Sequence, residues 1–123
     1  MTPPEAVQQI ETLTAHVWMV RAFLKHCEEA EEDEELCEIH RALYDFMLSL
    51  GKPLKEGDAP QFLKQASKKY GKLARAAKQF REIQPEVSTH TNFQMAAASL
   101  TAAVEEIGRV LEQAKASNAA KSE

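Results

Sequence analysis

Cysteine is scarce in this chain of 123 residues, which has only Cys27 and Cys37. Two cysteines without an export signal favour reduced thiols in a cytoplasm over a disulfide framework. The N-terminus lacks the basic start and apolar centre of a signal peptide, and no apolar run reaches the roughly 20 residues that a bilayer span requires. We therefore predict a cytoplasmic protein without a membrane-bound segment.

A strong net charge is also missing. The formal net charge is -4, with 28% charged and 44% hydrophobic residues. This balance gives no global attraction to nucleic acid or to anionic lipid. A chain of this length buries about two thirds of the surface that its unfolded form exposes, so it needs neither a metal nor a disulfide to fold. We expect one domain over residues 1–117, followed by a polar tail over residues 118–123 that frays.

The chain does have apolar residues spaced alternately three and four positions apart, near both ends. In the last third these are Phe93, Ala97, Leu100, Val104, Ile107, Leu111 and Ala114. In the first quarter they are Ala6, Ile10, Leu13, Val17, Val20, Leu24 and Cys27. This spacing keeps one apolar stripe on one side of an α-helix, which is typical of helices buried against other helices. The sequence therefore predicts an all-α fold.

Prolines, glycines and charges divide the chain into four predicted helices, at about residues 3–30, 33–50, 59–83 and 88–116. Acidic residues between positions 28 and 35 stabilise a helix N-terminus and destabilise a C-terminus. The connection between the first and second predicted helices is therefore placed within them. Gly51 with Pro53, and later Pro85, are expected to end the second and third helices. Short connections favour antiparallel neighbours, which predicts an up-down-up-down four-helix bundle.

Several apolar residues fall on the sides of the first and last helices where solvent is expected. In the first helix these are Ala15, Trp18, Met19 and Ala22, and in the last they are Met95, Ala98 and Ala102. An apolar surface of this kind usually marks an association site, and two-fold self-association is the commonest arrangement. We predict a homodimer through these two helices, with an unidentified protein partner as a further possibility. The alternative is that Trp18 covers the core of a single chain.

Arg21 lies within the apolar part of the first helix, where a carboxylate partner is expected, with Asp45 as a candidate in the same chain. Arg21 and His26 have an Arg-x4-His spacing that is similar to that of the HEPN ribonucleases. This spacing often arises by chance in a chain of this composition, so it does not indicate nuclease activity. Neither a Ser-His-Asp arrangement nor a paired-carboxylate cleft is indicated. We expect no catalytic activity and no cofactor.

A mixed cysteine and histidine site is the candidate metal centre. Cys37 and His40 lie one turn apart in the second helix, Cys27 lies across the first turn, and His90 begins the last helix. Zinc or copper takes such ligands. The simpler interpretation is that Cys27 fills a packing position and His40 is a hydrogen-bonded structural residue. No Glu precedes any histidine by three residues, which excludes the usual di-iron pattern.

The third predicted helix is the only strongly basic segment, with no acidic residue between Asp58 and Glu82. The candidate anion-binding residues on it are Lys64, Lys68, Lys72 and Arg75. Such a face attracts phosphates or an acidic partner. It has no exposed aromatic residues for stacking on bases and no glycine-rich phosphate loop, so nucleic acid is not favoured. A solvated helix face explains these charges most simply.

Overall fold

The computed structural model describes the backbone of residues 1–122 and the side chains of residues 1–117. Within this range the chain forms five α-helices and no strand, so the all-α prediction is confirmed. The helices are α1 (Pro3–His26), α2 (Glu28–Glu32), α3 (Glu34–Lys55), α4 (Ala59–Val87) and α5 (Thr91–Ser122). The side chains of the predicted frayed tail, residues 118–123, lie outside the described part.

The first connection differs from the predicted single turn. Helix α1 ends at His26, because Cys27 has an extended backbone with φ -91° and ψ 144°. Asp33 is extended as well, and its carboxylate accepts hydrogen bonds from the backbone N–H of Glu35 (2.9 Å) and of Leu36 (3.2 Å). Such a side-chain cap satisfies donors that have no partner at a helix start. The acidic residues between these two breaks therefore form the short helix α2.

The two internal prolines do not end their helices where expected. Helix α3 continues past Pro53 to Lys55, and α4 continues past Pro85 to Val87. A proline removes only one backbone donor, and the other donors of a last turn keep their bonds. The N–H of Glu56 still reaches the carbonyl of Lys52, and that of Ser88 reaches Gln84, each at 3.0 Å. The chain turns instead at Gly57, which has a φ of 67°.

The core is formed by one apolar stripe from each long helix. Helix α3 packs on α4, α4 on α5, α5 on α1, and α1 on α3. In α1 the predicted stripe is buried at Ala6, Ile10, Val17, Val20 and Leu24, and in α5 it is buried from Phe93 to Leu111. The helical phase read from the sequence therefore holds in both helices. This phase fixes which residues of α1 and α5 point outward.

The closest packing between α4 and α5 lies at Tyr70. Its hydroxyl donates a hydrogen bond to the backbone carbonyl of Val104, at 3.0 Å. A Cβ atom added to Gly108 would lie 2.8 Å from Cζ of the Tyr70 ring, so only glycine fits beside it. Gly71, by contrast, is exposed, and a Cβ added there would meet only Nη1 of Arg75, at an ordinary contact distance of 4.0 Å.

None of the described helices combines the length and the apolar character that a transmembrane span requires.

Candidate interaction surface

The outward side of α1 carries four apolar residues, which we call the outer α1 face: Ala15, Trp18, Met19 and Ala22. Val17 is fully buried, whereas its neighbours Trp18 and Met19 are 47% and 65% exposed. Ala15 is exposed and Ala22 is half-buried. The described part of the chain therefore leaves about half of the Trp18 surface exposed.

Helix α5 adds further exposed apolar residues at the same end of the molecule. The rings of Phe23 in α1 and Phe93 in α5 pack edge to face, with centroids 5.0 Å apart. Met19 precedes Phe23 by one turn, so it lies near this contact, whereas Met95 follows Phe93 by two residues and therefore projects from the opposite side of α5. Met95 is 58% exposed. Ala98 and Ala102 are exposed as well, one and two turns further along α5.

Helix α3 contributes two exposed residues that the sequence reasoning missed. Tyr44 is 41% exposed and Leu48 is 64% exposed, one turn apart on α3. The sequence could have indicated their exposure, because both lie outside the buried stripe of that helix, which runs through Leu43, Phe46 and Leu50. Apolar residues therefore lie at the surface on three helices.

Arg21 holds the indole of Trp18 in place on the side of α1 that faces α3. The Arg21 side chain is 7% exposed, and its Cζ atom lies 4.0 Å from the centroid of the Trp18 ring. It also lies 5.6 Å from the Tyr44 ring. Cation–π contacts of this kind are worth about 0.5–2 kcal/mol. The Trp18 ring therefore lies against Arg21 while the residue remains 47% exposed.

The hydrogen-bond partner of Arg21 is a histidine and not the expected carboxylate. Its Nη1 atom lies 3.2 Å from Nε2 of His40, and its Nε atom has no partner among the described residues. A guanidinium only donates hydrogen bonds, so Nε2 of His40 accepts and the proton of the neutral ring sits on Nδ1. The hydrogen bond between Arg21 and His40 therefore requires an uncharged imidazole.

The surroundings of His40 favour the same protonation state. Burial lowers the pKa of His40, and the positive charges of Arg21, Lys25 and Arg41 lower it further. Desolvation and like charges both disfavour the charged imidazolium.

The four predicted metal ligands are not brought together. Cys37 is exposed, and Cys27 is half-buried with its Sγ donating to the carbonyl of Leu24 at 3.3 Å. His40 uses Nε2 for Arg21, and His90 uses Nδ1 to accept from the N–H of Asn92 (3.0 Å), which caps α5. Within the described residues, no group of three or more His, Cys, Asp or Glu side chains is placed to hold a metal ion.

The cysteines are both free thiols. Burial raises the pKa of the Cys27 thiol, as does the negative charge of Glu29, whereas backbone hydrogen bonds at Ala30, Cys27 and Glu29 lower it. A raised thiol pKa reduces the fraction of thiolate, which is the nucleophile and the metal ligand. Cys27 is therefore a packing residue at the break between α1 and α2.

The basic residues of α4 form one exposed row. Lys64, Lys68, Lys72 and Arg75 are all exposed, and among side chains of residues 1–117 the only salt bridge joins Arg109 to Glu106, at 2.6 Å. A groove of about 460 Å³ between α3 and α4 places Lys69 and Lys72 beside Glu38 and Asp45. These carboxylates weaken the positive field on that side of α4.

A second depression, of about 690 Å³, lies between α4 and α5 and is lined by Tyr70, Glu105 and Arg109 among others. Burial raises the pKa of Tyr70, as does the negative charge of Glu105, while Arg109 lowers it, so the phenol is protonated at neutral pH. Its hydroxyl donates to Val104, and Ser67 and Glu112 also line the depression.

We take the exposed apolar residues as the candidate functional surface. Comparisons with protein-family models, with curated proteins and with solved structures give no match for this chain.

Proposed function

We propose that the protein acts by self-association, as a symmetric homodimer formed through the outer α1 face and the neighbouring apolar residues of α5. The observation that carries this proposal is Trp18, which is 47% exposed although its ring is held against Arg21. Exposed tryptophans are enriched among the residues that dominate binding energy. A ring that is already fixed loses less conformational freedom when a partner covers it, which favours binding.

The absence of exposed charge along the central part of α1 and the first part of α5 also supports association. Along α1, the only charged residue between Glu11 and Lys25 is Arg21, which is buried. Along α5, no charged residue occurs between Asn92 and Val104. Single exposed apolar residues are common on monomers, whereas several of them grouped within an uncharged stretch of one helix are typical of an interface.

The test is the molar mass in solution of two matched variants, measured by sedimentation equilibrium. Trp18→Asp places a charge at the centre of the outer α1 face, and we expect it to raise the dimer dissociation constant by about 30-fold or more. Leu54→Asp makes the same kind of change at an exposed leucine near the end of α3, and we expect it to leave the mass unchanged. Equal masses for Trp18→Asp and the unmodified dimer would reject the proposal.

We also propose that the four long helices run in up-down-up-down order, with α2 as part of the first connection. Three contacts support it, since each joins two helices at similar distances from the connection between them. These contacts are Arg21 with His40 (3.2 Å), Glu35 with Gln79 (3.3 Å) and Tyr70 with Val104 (3.0 Å). Antiparallel hairpins produce such pairs.

A second candidate function is binding of a polyanion through α4, favoured by the exposed row of Lys64, Lys68, Lys72 and Arg75. Binding of this type weakens steeply with salt, because each phosphate contact releases counterions. We expect reversal of Lys68 and Arg75 to glutamate to abolish retention on a heparin column at low salt. Retention that is unchanged by both reversals would reject this candidate.

A further inference from the structure

The outer α1 face has an internal symmetry about the point between Trp18 and Met19. Ala15 and Ala22 lie seven positions apart, at equal distances on either side of that point. Beyond them, Glu11 lies on one side and Lys25 on the other, and both side chains are exposed. The two alanines are therefore symmetric about this point, and the oppositely charged Glu11 and Lys25 lie beyond them at 7.5 and 6.5 positions from it.

Such symmetry matches the requirements of two antiparallel helices related by a two-fold axis. In that arrangement a residue lies opposite the residue of the other copy that is equally far from the axis on the other side. With about 100° of rotation per residue, positions seven apart differ by only about 20° around the helix. Ala15 and Ala22 thus share one line along α1, and alanines permit helix axes to approach to about 8 Å.

We propose that the homodimer is formed by α1 packing antiparallel to α1 of a second copy, with the two-fold axis between Trp18 and Met19. This inference rests on the proposed self-association and specifies its geometry. Ala15 then faces Ala22 of the partner subunit, and Glu11 pairs with Lys25 of the partner subunit. Each contact occurs twice, because the same face serves both copies.

Charge complementarity selects the second copy as the occupant and the antiparallel direction as its orientation. Glu11 and Lys25 of the partner subunit differ by about 1.5 Å in height along the paired helices, given the rise per residue. Neither side chain has a salt-bridge partner within 4.0 Å among the described residues. A parallel pair would instead bring Glu11 near Glu11 of the partner subunit, which opposes association.

The same axis gives a partner to the exposed apolar residues on both flanks of α1. Trp18 lies on the α3 side of α1, where the guanidinium of Arg21 contacts both its ring and the ring of Tyr44. In the proposed dimer it would pack beside Trp18 of the partner subunit. Met19 lies about 100° further round α1, on the side of Phe23, whose ring contacts Phe93 of α5. The two-fold arrangement therefore covers exposed apolar residues on both flanks of α1.

Disulfide trapping tests this geometry. In a background carrying Cys27→Ser and Cys37→Ser, one protein receives Ala15→Cys and another receives Ala22→Cys. Facing alanines meet the short Cβ separation that a disulfide requires. We expect the oxidised mixture to give at least about fivefold more covalent dimer than either protein alone. More trapping by either single variant than by the mixture would overturn the antiparallel arrangement.

A charge exchange provides a second measurement that leaves the packing residues intact. We expect Glu11→Lys and Lys25→Glu each to raise the dissociation constant by about tenfold, since each change turns two attractive pairs into repulsive ones. The double variant restores the attraction in reverse, so its dissociation constant is expected within about threefold of the unmodified value. Additive weakening in the double variant would overturn the proposed pairing.

These results separate the geometry from the proposed function. An unmodified protein that is monomeric at high micromolar concentration rejects self-association itself. A dimer that is lost in Trp18→Asp but shows neither mixed trapping nor charge rescue rejects only the arrangement around α1. The cysteine-free background serves as its own control, because its mass in solution must equal that of the unmodified protein before trapping is compared.

Discussion

At the scale of residues, Arg21 determines the character of the candidate surface. A buried cation normally requires a carboxylate, and the sequence predicted one for Arg21, with Asp45 as the candidate in the same chain. The structure gives it two aromatic rings and the neutral ring of His40 instead. His40 and Tyr44 lie one turn apart on the side of α3 that faces α1, whereas Asp45 is about 100° further round the helix. The sequence contains the residues, but the angular position of α3 against α1 decides which of them Arg21 meets.

The Arg21–His40 pair leads to a prediction about pH. The pKa of His40 is lowered in the folded state, so the unfolded chain binds the proton more tightly and acid favours unfolding. Stability from this pair is fully present above the unfolded pKa of about 6.5 and is lost as the pH falls through the lower folded value. We expect the free energy of unfolding to decrease between pH 7.5 and 5.5, measured by urea denaturation.

The control is a pair of glutamine variants. His40→Gln keeps an acceptor for Arg21 but does not titrate, so its unfolding free energy should vary less with pH over this range. His16→Gln makes the same substitution at an exposed histidine outside the Arg21 contact and controls for the substitution itself. Identical pH dependence in His40→Gln and the unmodified protein would contradict the assigned role of His40.

At the scale of helices, the contact between Tyr70 and Gly108 gives the sharpest packing prediction. A methyl group at Gly108 would collide with the Tyr70 ring, whose hydroxyl is bonded to Val104. We expect Gly108→Ala to destabilise the protein by about 1–3 kcal/mol, as other overpacking changes do. Urea denaturation monitored by circular dichroism measures this change.

Gly71→Ala is the matched control, because the same substitution there meets no atom closer than Nη1 of Arg75 at 4.0 Å. It is expected to stabilise the protein by about 0.5–1 kcal/mol, because alanine has the higher helix propensity. If both variants shifted the unfolding midpoint in the same direction, the packing of α5 against α4 at Tyr70 would be incorrect.

The helices also show which structural features the sequence determines. The stripes of α1 and α5 were predictable because apolar spacing alone sets helical phase, as the burial of Ile10, Val17 and Leu100 illustrates. The ends of helices were less predictable. Pro53 and Pro85 are accommodated in last turns, and the break at Cys27 depends on how the acidic residues fold into α2. Boundaries depend on local hydrogen bonds that composition does not reveal.

The candidate functional sites also differ in how far the sequence predicts them. Outward positions such as Trp18 and Met95 follow from helical phase, so their exposure was predictable. The metal hypothesis required side chains from separate helices to meet at one point. His90 instead caps its own helix, and His40 turns toward Arg21. Side-chain direction across helices depends on packing angles, which a single sequence does not contain.

At the scale of the whole molecule, exposed surface chemistry is divided among the helices. The acidic residues concentrate around α2, the basic row follows α4, and the apolar residues lie on α1, α3 and α5. This separation leaves the outer α1 face free of the charges that keep most helix surfaces in water. In the proposed dimer the same face serves both copies, so the assembly closes at two chains.

The central claim is tested most directly by the molar mass of the unmodified protein across a concentration series, measured by sedimentation equilibrium from low to high micromolar. The account predicts a rise from the mass of one chain to twice that mass, with no larger species at the highest concentration. A mass that stays at one chain throughout the series would contradict it.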